Sequence, residues 1–298
     1  METMPGQNAR NGNHLWIALI SLALCGFVLL AYVLWSAYQE VWAEARSVAG
    51  SQSELLDARF EATLRRVDMT LNELAERIPK DALNAGVVSD FRPDIEKKLE
   101  RLQHAFPEIA GFRVVDSDGN VLYISGGGEY VNLLDRSYFK TSRDGKNGAI
   151  VFSEVVKSRI TGRDTIAVAR AIHAQDGLFV GMVSAAIEID YFAHLFNRSR
   201  LGISGAVAIR RSDTHALVFR QPSVPAELNR PLVSSHPVYQ SIQAGNRQGI
   251  LEFAAQSDGV KRVYGYRVLE RYPFYVLAGL SESDVMDSWR QRIFTVAV

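Results

Sequence analysis

The chain has 298 residues, and its 33 basic and 33 acidic side chains balance to zero, so it carries no electrostatic footprint for nucleic acid. The single cysteine, Cys25, excludes an intrachain disulfide and a cysteine-ligated zinc site. The length allows one large domain or two small ones with added segments.

No charged residue lies between Arg10 and Glu40, and 15–34 is almost wholly apolar. Such a run spans about 30 Å of hydrocarbon as a helix. Trp16, Tyr32 and Trp35 sit at its ends, where interfacial anchors belong. The run is too long for a signal peptide and no small-residue cleavage site follows it, so a retained transmembrane helix is predicted over 15–37. Arg10 and the amino terminus favour a cytoplasmic 1–14, with the bulk of the chain outside the cytoplasm.

A long stalk helix is predicted over 38–78. Phe60, Leu64, Val67, Leu71, Leu74 and Ile78 follow a four-three-four-three-four spacing that makes one apolar seam, and Pro79 ends it. The seam has two candidate partners, the following domain and a second copy of the stalk, and a homodimer through this helix is expected. A second helix is predicted from Pro93, a residue suited to a first turn, to about Phe106.

Strand patterns follow. Segments 111–116 and 120–125 flank the turn Ser117-Asp118-Gly119. Asp135 is read as the N-cap of a helix from Arg136 to Asp144 that closes at Gly145. Arg136 in that first turn would present a guanidinium beside free N–H groups, an anion site, with Tyr138 and Phe139 as aromatic walls. Segments 165–172 and 178–189 form a hairpin placing Arg170 on one face with Ile166, Val168 and Ile172, opposite Gly181 to within a residue. A charge on an apolar face needs a partner. For Arg170 this is an internal carboxylate such as Glu154 or Glu188, or a ligand. Asp190 is expected to cap a short helix from Tyr191.

From Gly202 a smaller unit repeats the plan. Strands are predicted at 206–210, 216–220, 249–255, 260–268 and 274–280, with a short helix at 237–244. Ser281 and Asp284 resemble a capping box opening a final helix. Two similar units suggest duplication. The apolar ending 295–298 reads as the first turns of a second membrane span, in a chain whose cytoplasmic part is missing.

Together these segments resemble the double Cache, or PDC, sensor region of bacterial transmembrane receptors over about residues 40–290. The resemblance rests on the order of elements and on FRVVDSDGNVLYIS, DRSYF, SRITG followed by IAVAR, and DGLFVGMVSAAIEIDYF. It implies an α+β fold: a transmembrane helix, a long stalk helix, and two tandem PAS-like antiparallel-sheet modules. Residues 79–200 would form a membrane-distal module, 201–283 a proximal one, and 284–298 a return helix. It also implies sensing of a small molecule by the distal module in the periplasm of a bacterial inner-membrane receptor. The output would be a diguanylate cyclase, a histidine kinase or a chemoreceptor partner, and DRSYF and SRITG resemble the first two most closely.

In amino-acid-binding members of that family an Arg-x-Trp-Tyr motif clamps the ligand carboxylate. Arg136 matches its arginine, while Tyr138 and Phe139 stand for the two aromatics. The family's aspartate for the ligand amine aligns with Ala186. The resemblance therefore implies a carboxylate-like anion rather than a free amino acid, with Arg136, Tyr138, Phe139, Ser158, Arg159, Thr161 and Arg170 as candidate ligand-binding residues. For Arg159 and Ser158, in a loop, the competing reading is a solvated surface role.

No enzyme is expected. The six histidines are scattered, and neither a His-Glu-x-x-His motif nor a nucleophile elbow occurs. No metal and no cofactor is called for. The rival function is a ligand-free module for dimerisation or for contact with a periplasmic protein.

Overall fold

A computed structural model describes residues 8–145, 149–159, 161–196 and 201–296. Its spine is helix α1, Asn8–Arg77, 70 residues long, or about 105 Å at 1.5 Å per residue. The stretch at its start is long and apolar enough to cross a membrane, its best 18-residue window averaging a mean hydropathy of 2.7 with none of it buried. Further along, the seam packs inward: Phe60, Leu64, Val67, Leu71, Leu74 and Ile78 are all buried. Those residues join one continuous core with both sheets. Of the two partners left open for the seam, the chain's own sheets take it.

Helix α2, Val88–Ala105, begins five residues before the predicted start, and Pro93 lies inside it. Strands β1 (Ile109–Asp116) and β2 (Val121–Ile124) form the predicted hairpin, and helix α3 spans Ser137–Asp144. Strand β3, Ile150–Lys157, was not predicted. Strands β4 (Asp164–His173) and β5 (Phe179–Glu188) lead into helix α4, Ile189–Phe196. Asp190 sits within the first turn of α4 rather than capping it. The second unit comprises β6 (Ala206–Arg211), β7 (Leu217–Gln221), α5 (Pro237–Gln243), β8 (Gln248–Ala254), β9 (Lys261–Val268) and β10 (Phe274–Ser281). Helix α6, Glu282–Val296, follows directly. Its first turn is held by the Asp284 N–H donating to Ser281 Oγ at 3.1 Å, while the Asp284 carboxylate accepts from Ser204 N–H at 2.8 Å. The apolar terminus at 297–298 and Ile160 of SRITG lie outside the described residues.

The two sheets share one plan. Their orders are β2-β1-β5-β4-β3 and β7-β6-β10-β9-β8, antiparallel throughout. Strand alternation assigns each sheet two faces. On the first sheet Phe112, Val114, Ile166, Val168, Ile172, Val183 and Ile187 face the stalk. Val115, Ala167, Ala169 and Met182 face away, beneath Tyr138 and Phe139 of α3.

Register corrects one detail of the β4/β5 hairpin. Arg170 pairs with Val183, and Gly181 pairs with Ile172. Gly181 makes no room beside Arg170; a Cβ there would stand 2.3 Å from the Val115 carbonyl oxygen, so glycine serves close packing on β1.

Candidate functional site

The outer face of the first sheet carries small residues where its strands meet α3: Ala167 on β4 and Ala186 on β5. A cavity remains above them, lined by these two together with Arg113, Val131, Leu133, Arg136, Tyr138, Val156, Lys157, Ser158, Arg159 and Thr165. Its volume is about 20 Å³, room for about one water molecule. The same face of the second sheet is filled instead. Tyr264, Tyr266 and Tyr275 are buried there, and Cβ atoms added at Gly279 and Gly249 would meet the rings of Tyr264 and Tyr266 at 2.3 and 2.9 Å.

The backbone brings the cavity wall together in three pieces. The segment 131–133 is held beside the β1/β2 turn by Leu133 N–H donating to the Gly119 carbonyl at 2.7 Å and by the Asn120–Asn132 bridge. Arg136 is the N-cap of α3, which starts one residue later than expected, and Asp135 does not cap. The Arg136 guanidinium reaches across to donate to the Lys157 carbonyl at 3.4 Å. Strand β3 and the loop after it supply Val156, Lys157, Ser158 and Arg159. Within that loop Ser158 Oγ accepts from Thr161 N–H at 3.1 Å.

Three guanidiniums therefore converge, and among the described residues only Arg159 pairs with a carboxylate. Arg159 makes a bidentate pair with Asp135, at 2.6 and 3.2 Å, and also donates to the Asn132 carbonyl at 2.7 Å. This ties 132–135 to the loop after β3 beside the cavity. The hydrogen bond from Arg159 holds the exposed Asp135 carboxyl below its usual range. Arg113, in the middle of β1, is 8% exposed. Among the described residues no carboxylate pairs with it, and burial pulls its guanidinium below the ordinary value. The neighbouring Tyr138 phenol opposes that shift and the like charge of Arg136 adds to it. Tyr138 lies between the cations: burial raises its phenol, and Arg113, Arg136 and Arg159 each pull it back.

Of the predicted site residues, Arg136, Tyr138, Ser158 and Arg159 line this cavity. Three do not. Phe139 is fully buried in the core beneath α3, edge-on to Phe179 at 5.8 Å. Thr161 is exposed and closes a turn beyond the wall. Arg170 points to the opposite face of the sheet, where its Nε and Nη2 donate to Asp68 Oδ1 of α1 at 2.9 and 2.6 Å. Alternation grouped it correctly with Ile166, Val168 and Ile172, but that group faces the stalk. The expected carboxylates are engaged elsewhere: Glu154 with Ser137 at 2.7 Å and Glu188 with Arg163 at 2.6 Å. Arg113 was missed. Its signal was available as a lone cation within the run Phe112-Arg113-Val114-Val115.

The first unit also grips the second. Strand β3 bulges between Phe152 and Val155, and the backbone groups this frees are taken by the β6/β7 side of the neighbouring unit. The Asn229 amide accepts from Val155 N–H at 2.9 Å and donates to the Val155 carbonyl at 2.7 Å. Arg211 donates to the Phe152 and Ser153 carbonyls at 3.1 and 3.2 Å.

Two tandem α+β units on one long helix, the first with a cation-lined cavity over its sheet, define a double sensor module. The Cache domain model (dCache_1) matches residues 35–289, and the chain belongs to that family. Cache domains of this double type are non-catalytic ligand-binding modules. Solved structures share the fold. The extracellular domain assigned to histidine kinase rpHK1S-Z16 is 23% identical with a TM-score of 0.65, covering 84% of this chain and 98% of that one. The ligand-binding domain of the Pseudomonas fluorescens chemoreceptor CtaA, in complex with L-serine, is 13% identical with a TM-score of 0.57, covering 81% and 99%. That of the Campylobacter jejuni chemoreceptor Tlp3, in complex with L-valine, is 11% identical with a TM-score of 0.56, covering 84% and 98%. No curated protein sequence matches the chain.

Proposed function

We propose that this chain is the ligand-sensing region of a bacterial membrane signalling receptor, with the start of α1 in the inner membrane and both sheet units in the periplasm. The first, membrane-distal unit binds a small carboxylate or similar anion, and the helices and the second unit carry the change towards a cytoplasmic output. The observation that carries this reading is the convergence of Arg113, Arg136 and Tyr138 on one cavity with no carboxylate among its described lining residues, while the nearby Asp135 is committed to Arg159. At the position aligned with the family's amine-binding aspartate stands the Ala186 methyl, in the cavity wall. That supports an anion over a free amino acid.

Dimerisation through the stalk is part of the proposal, on a different face from the buried seam. An open groove of about 630 Å³ runs along Ala58, Ala62, Arg65, Met69 and Glu73 of α1, with Met69 exposed. This face is also the observation behind the rival reading, in which the chain serves dimerisation or protein contact without a ligand.

The test is thermal denaturation of the full chain in detergent against a panel of carboxylates, beside Arg136→Ala. Ligand at a hundredfold its Kd adds about 2.7 kcal/mol, or roughly 5–10 °C for a protein of this size at about 2–4 °C per kcal/mol. The panel should contain an anion that stabilises the parent and leaves Arg136→Ala unmoved. Equal stabilisation of both, or of neither, rejects the site.

A further inference from the structure

With the start of α1 in the membrane, as proposed above, the second unit meets the bilayer surface through a cleft between α1, the β8/β9 hairpin and the start of α6. We propose that this cleft holds the headgroup of a phospholipid that carries a phosphate and a primary ammonium. Lys261 and the Trp42 indole take the phosphate, and Glu282 takes the ammonium.

The height of the cleft follows from α1. Exposed apolar side chains run as far as Trp35, Tyr38 comes directly after the span, and Trp42 lies one turn beyond it. With the span ending at 37, Trp42 stands about 7.5 Å further along the helix axis, in a headgroup layer roughly 5–8 Å deep. Strand β9 descends beside the helix to the same level. Gly265 packs on α1, where a Cβ would stand 2.3 Å from the Ala49 carbonyl oxygen, and Val263 joins Trp42 and Ala45 in one apolar cluster. Lys261 is two residues further down the strand, about 7 Å. Helix α6 comes down alongside, with Trp289 edge-on to Tyr38 at 6.2 Å.

The cleft has a volume of about 360 Å³, and its walls include Tyr38, Trp42, Glu252, Lys261, Arg262 and Glu282. Two of its four charges are spent internally, Glu252 on Arg46 at 2.8 Å and Arg262 on Asp258 at 2.9 Å. The Lys261 and Glu282 side chains are exposed, and among the described residues neither has an ion-pair or hydrogen-bond partner. They stand at adjacent strand ends, because Ser281 pairs with Arg262 in register and each of the two is the next residue outward. A free cation beside a free anion suits a zwitterion, whereas a simple anion would meet Glu282 and a simple cation Lys261. Trp42 adds a donor: it is 8% exposed, and its Nε1 has no acceptor. A buried donor left unpaired is costly, and a phosphate oxygen in the cleft would satisfy it. The rings of Tyr38 and Trp42 continue into the exposed apolar surface of the span. Acyl chains lie along that surface, so the occupant is a lipid rather than a free zwitterion.

The experiment is native mass spectrometry of the full chain in detergent, titrated with phosphatidylethanolamine, phosphatidylcholine and phosphatidylglycerol of identical acyl chains, and with glycerophosphoethanolamine as the headgroup without chains. One phosphatidylethanolamine should bind at least about tenfold more tightly than either other lipid, the factor one charge-assisted hydrogen bond supplies. Glu282→Gln should melt with the parent and bring phosphatidylethanolamine to within about threefold of phosphatidylglycerol. Lys261→Gln, and Trp42→Phe, which keeps an aromatic ring but loses the N–H, should each weaken phosphatidylethanolamine by about fivefold or more. Phosphatidylglycerol binding the parent as tightly would overturn the zwitterion, and phosphatidylcholine doing so would overturn the primary ammonium. An undiminished preference in Glu282→Gln, or unchanged affinity in both other variants, would show that the cleft is not the site. Glycerophosphoethanolamine binding as tightly as the lipid would overturn the bilayer source. Several lipids bound alike would show annular lipid only. Flotation of the full chain with liposomes separates the two readings: a chain that floats without the lipid preference overturns the headgroup site alone, and a chain that does not float overturns the membrane reading with it.

Discussion

Asp68→Ala tests whether Arg170 belongs to the scaffold, and the structure sets the size of the effect. Asp68 Oδ1 accepts two bonds from Arg170, at 2.9 and 2.6 Å, and Oδ2 accepts from the Tyr272 hydroxyl at 3.2 Å. One carboxylate thus joins the stalk to β4 of the first unit and to the loop before β10 of the second. The side chains are 14% and 20% exposed. Truncating one member of a well-buried pair costs about 3–5 kcal/mol, because the other charge loses its compensation. The residual exposure here argues for the lower end, about 3 kcal/mol, which at roughly 2–4 °C per kcal/mol lowers Tm by about 6–12 °C. Differential scanning fluorimetry of the full chain in detergent measures it. The partner change Arg170→Met, made in an Asp68→Leu background, should recover most of the loss, since an apolar pair replaces an ion pair at little cost. A Tm drop below about 2 °C, or additive losses in the double variant, would refute the pair as a structural tie. A loss of anion binding without a loss of stability would return Arg170 to the site.

Three further outcomes follow from the packing. Phe60 is fully buried on the stalk and meets Phe192 and Phe274 edge-on at 5.2 and 5.4 Å, so Phe60→Ala should cost about 3–5 kcal/mol, read from denaturant midpoints. His236 is pushed down from 6.5 to about 4 by burial first and then by Arg210 and His215. A folded value below the unfolded one means its contribution to stability is complete above about pH 6.5 and is lost as pH falls through about 4. His236→Asn keeps an acceptor for the Val238 N–H at the start of α5 and should flatten the decline in Tm between those two pH values. Asn229 has φ 62°, in the left-handed region that asparagine tolerates better than alanine. With both Val155 bonds lost as well, Asn229→Ala should cost about 1–3 kcal/mol and speed hydrogen exchange at the Val155 amide.

What was legible in the sequence was what depends on local period. The stalk seam was readable because every member recurs on one stripe of a single helix. The β1/β2 and β4/β5 hairpins were readable because turn residues sit between alternating runs. Strand β3 was not, because its bulge puts Ser153 and Glu154 between Phe152 and Val155 and breaks the alternation. Alternation on β4 gave the right grouping for Arg170 but not its direction. Both faces of that strand are apolar, and only the larger side chains, Ile166, Val168 and Ile172, mark the side against the stalk. Its partner Asp68 is 102 residues away, a separation no local pattern spans. Arg113 stood out only as a lone cation in an apolar run, and its burial was not legible for a related reason. Its burial is created by α3, β5 and the 131–133 segment together, none of which is its sequence neighbour.

The cavity and the stalk lie on opposite faces of the same sheet, so a change at one reaches the other only through the strands or around their edge. Strand β3 offers the edge route. Val156, Lys157 and Ser158 form the cavity wall, and Val155, the next residue back, is held by Asn229 of the second unit. Ser137, adjacent to Arg136, donates to Glu154 inside the bulge at 2.7 Å. A ligand that draws Arg136 inward therefore acts on the bulge from both sides. Coupling of this kind is reciprocal: the factor by which ligand strengthens the Asn229 contact must equal the factor by which that contact strengthens ligand binding. Couplings of about 1–3 kcal/mol are typical, so Asn229→Ala, which removes hydrogen bonds to Val155 rather than to a lining residue, should change the affinity for the anion by about 5-fold or more. Arg211→Ala, which frees the Phe152 and Ser153 carbonyls on the other side of the bulge, should act in the same direction. Unchanged affinity in both variants would show that the bulge is a passive joint, leaving the sheet and α1 as the path from the cavity to the membrane.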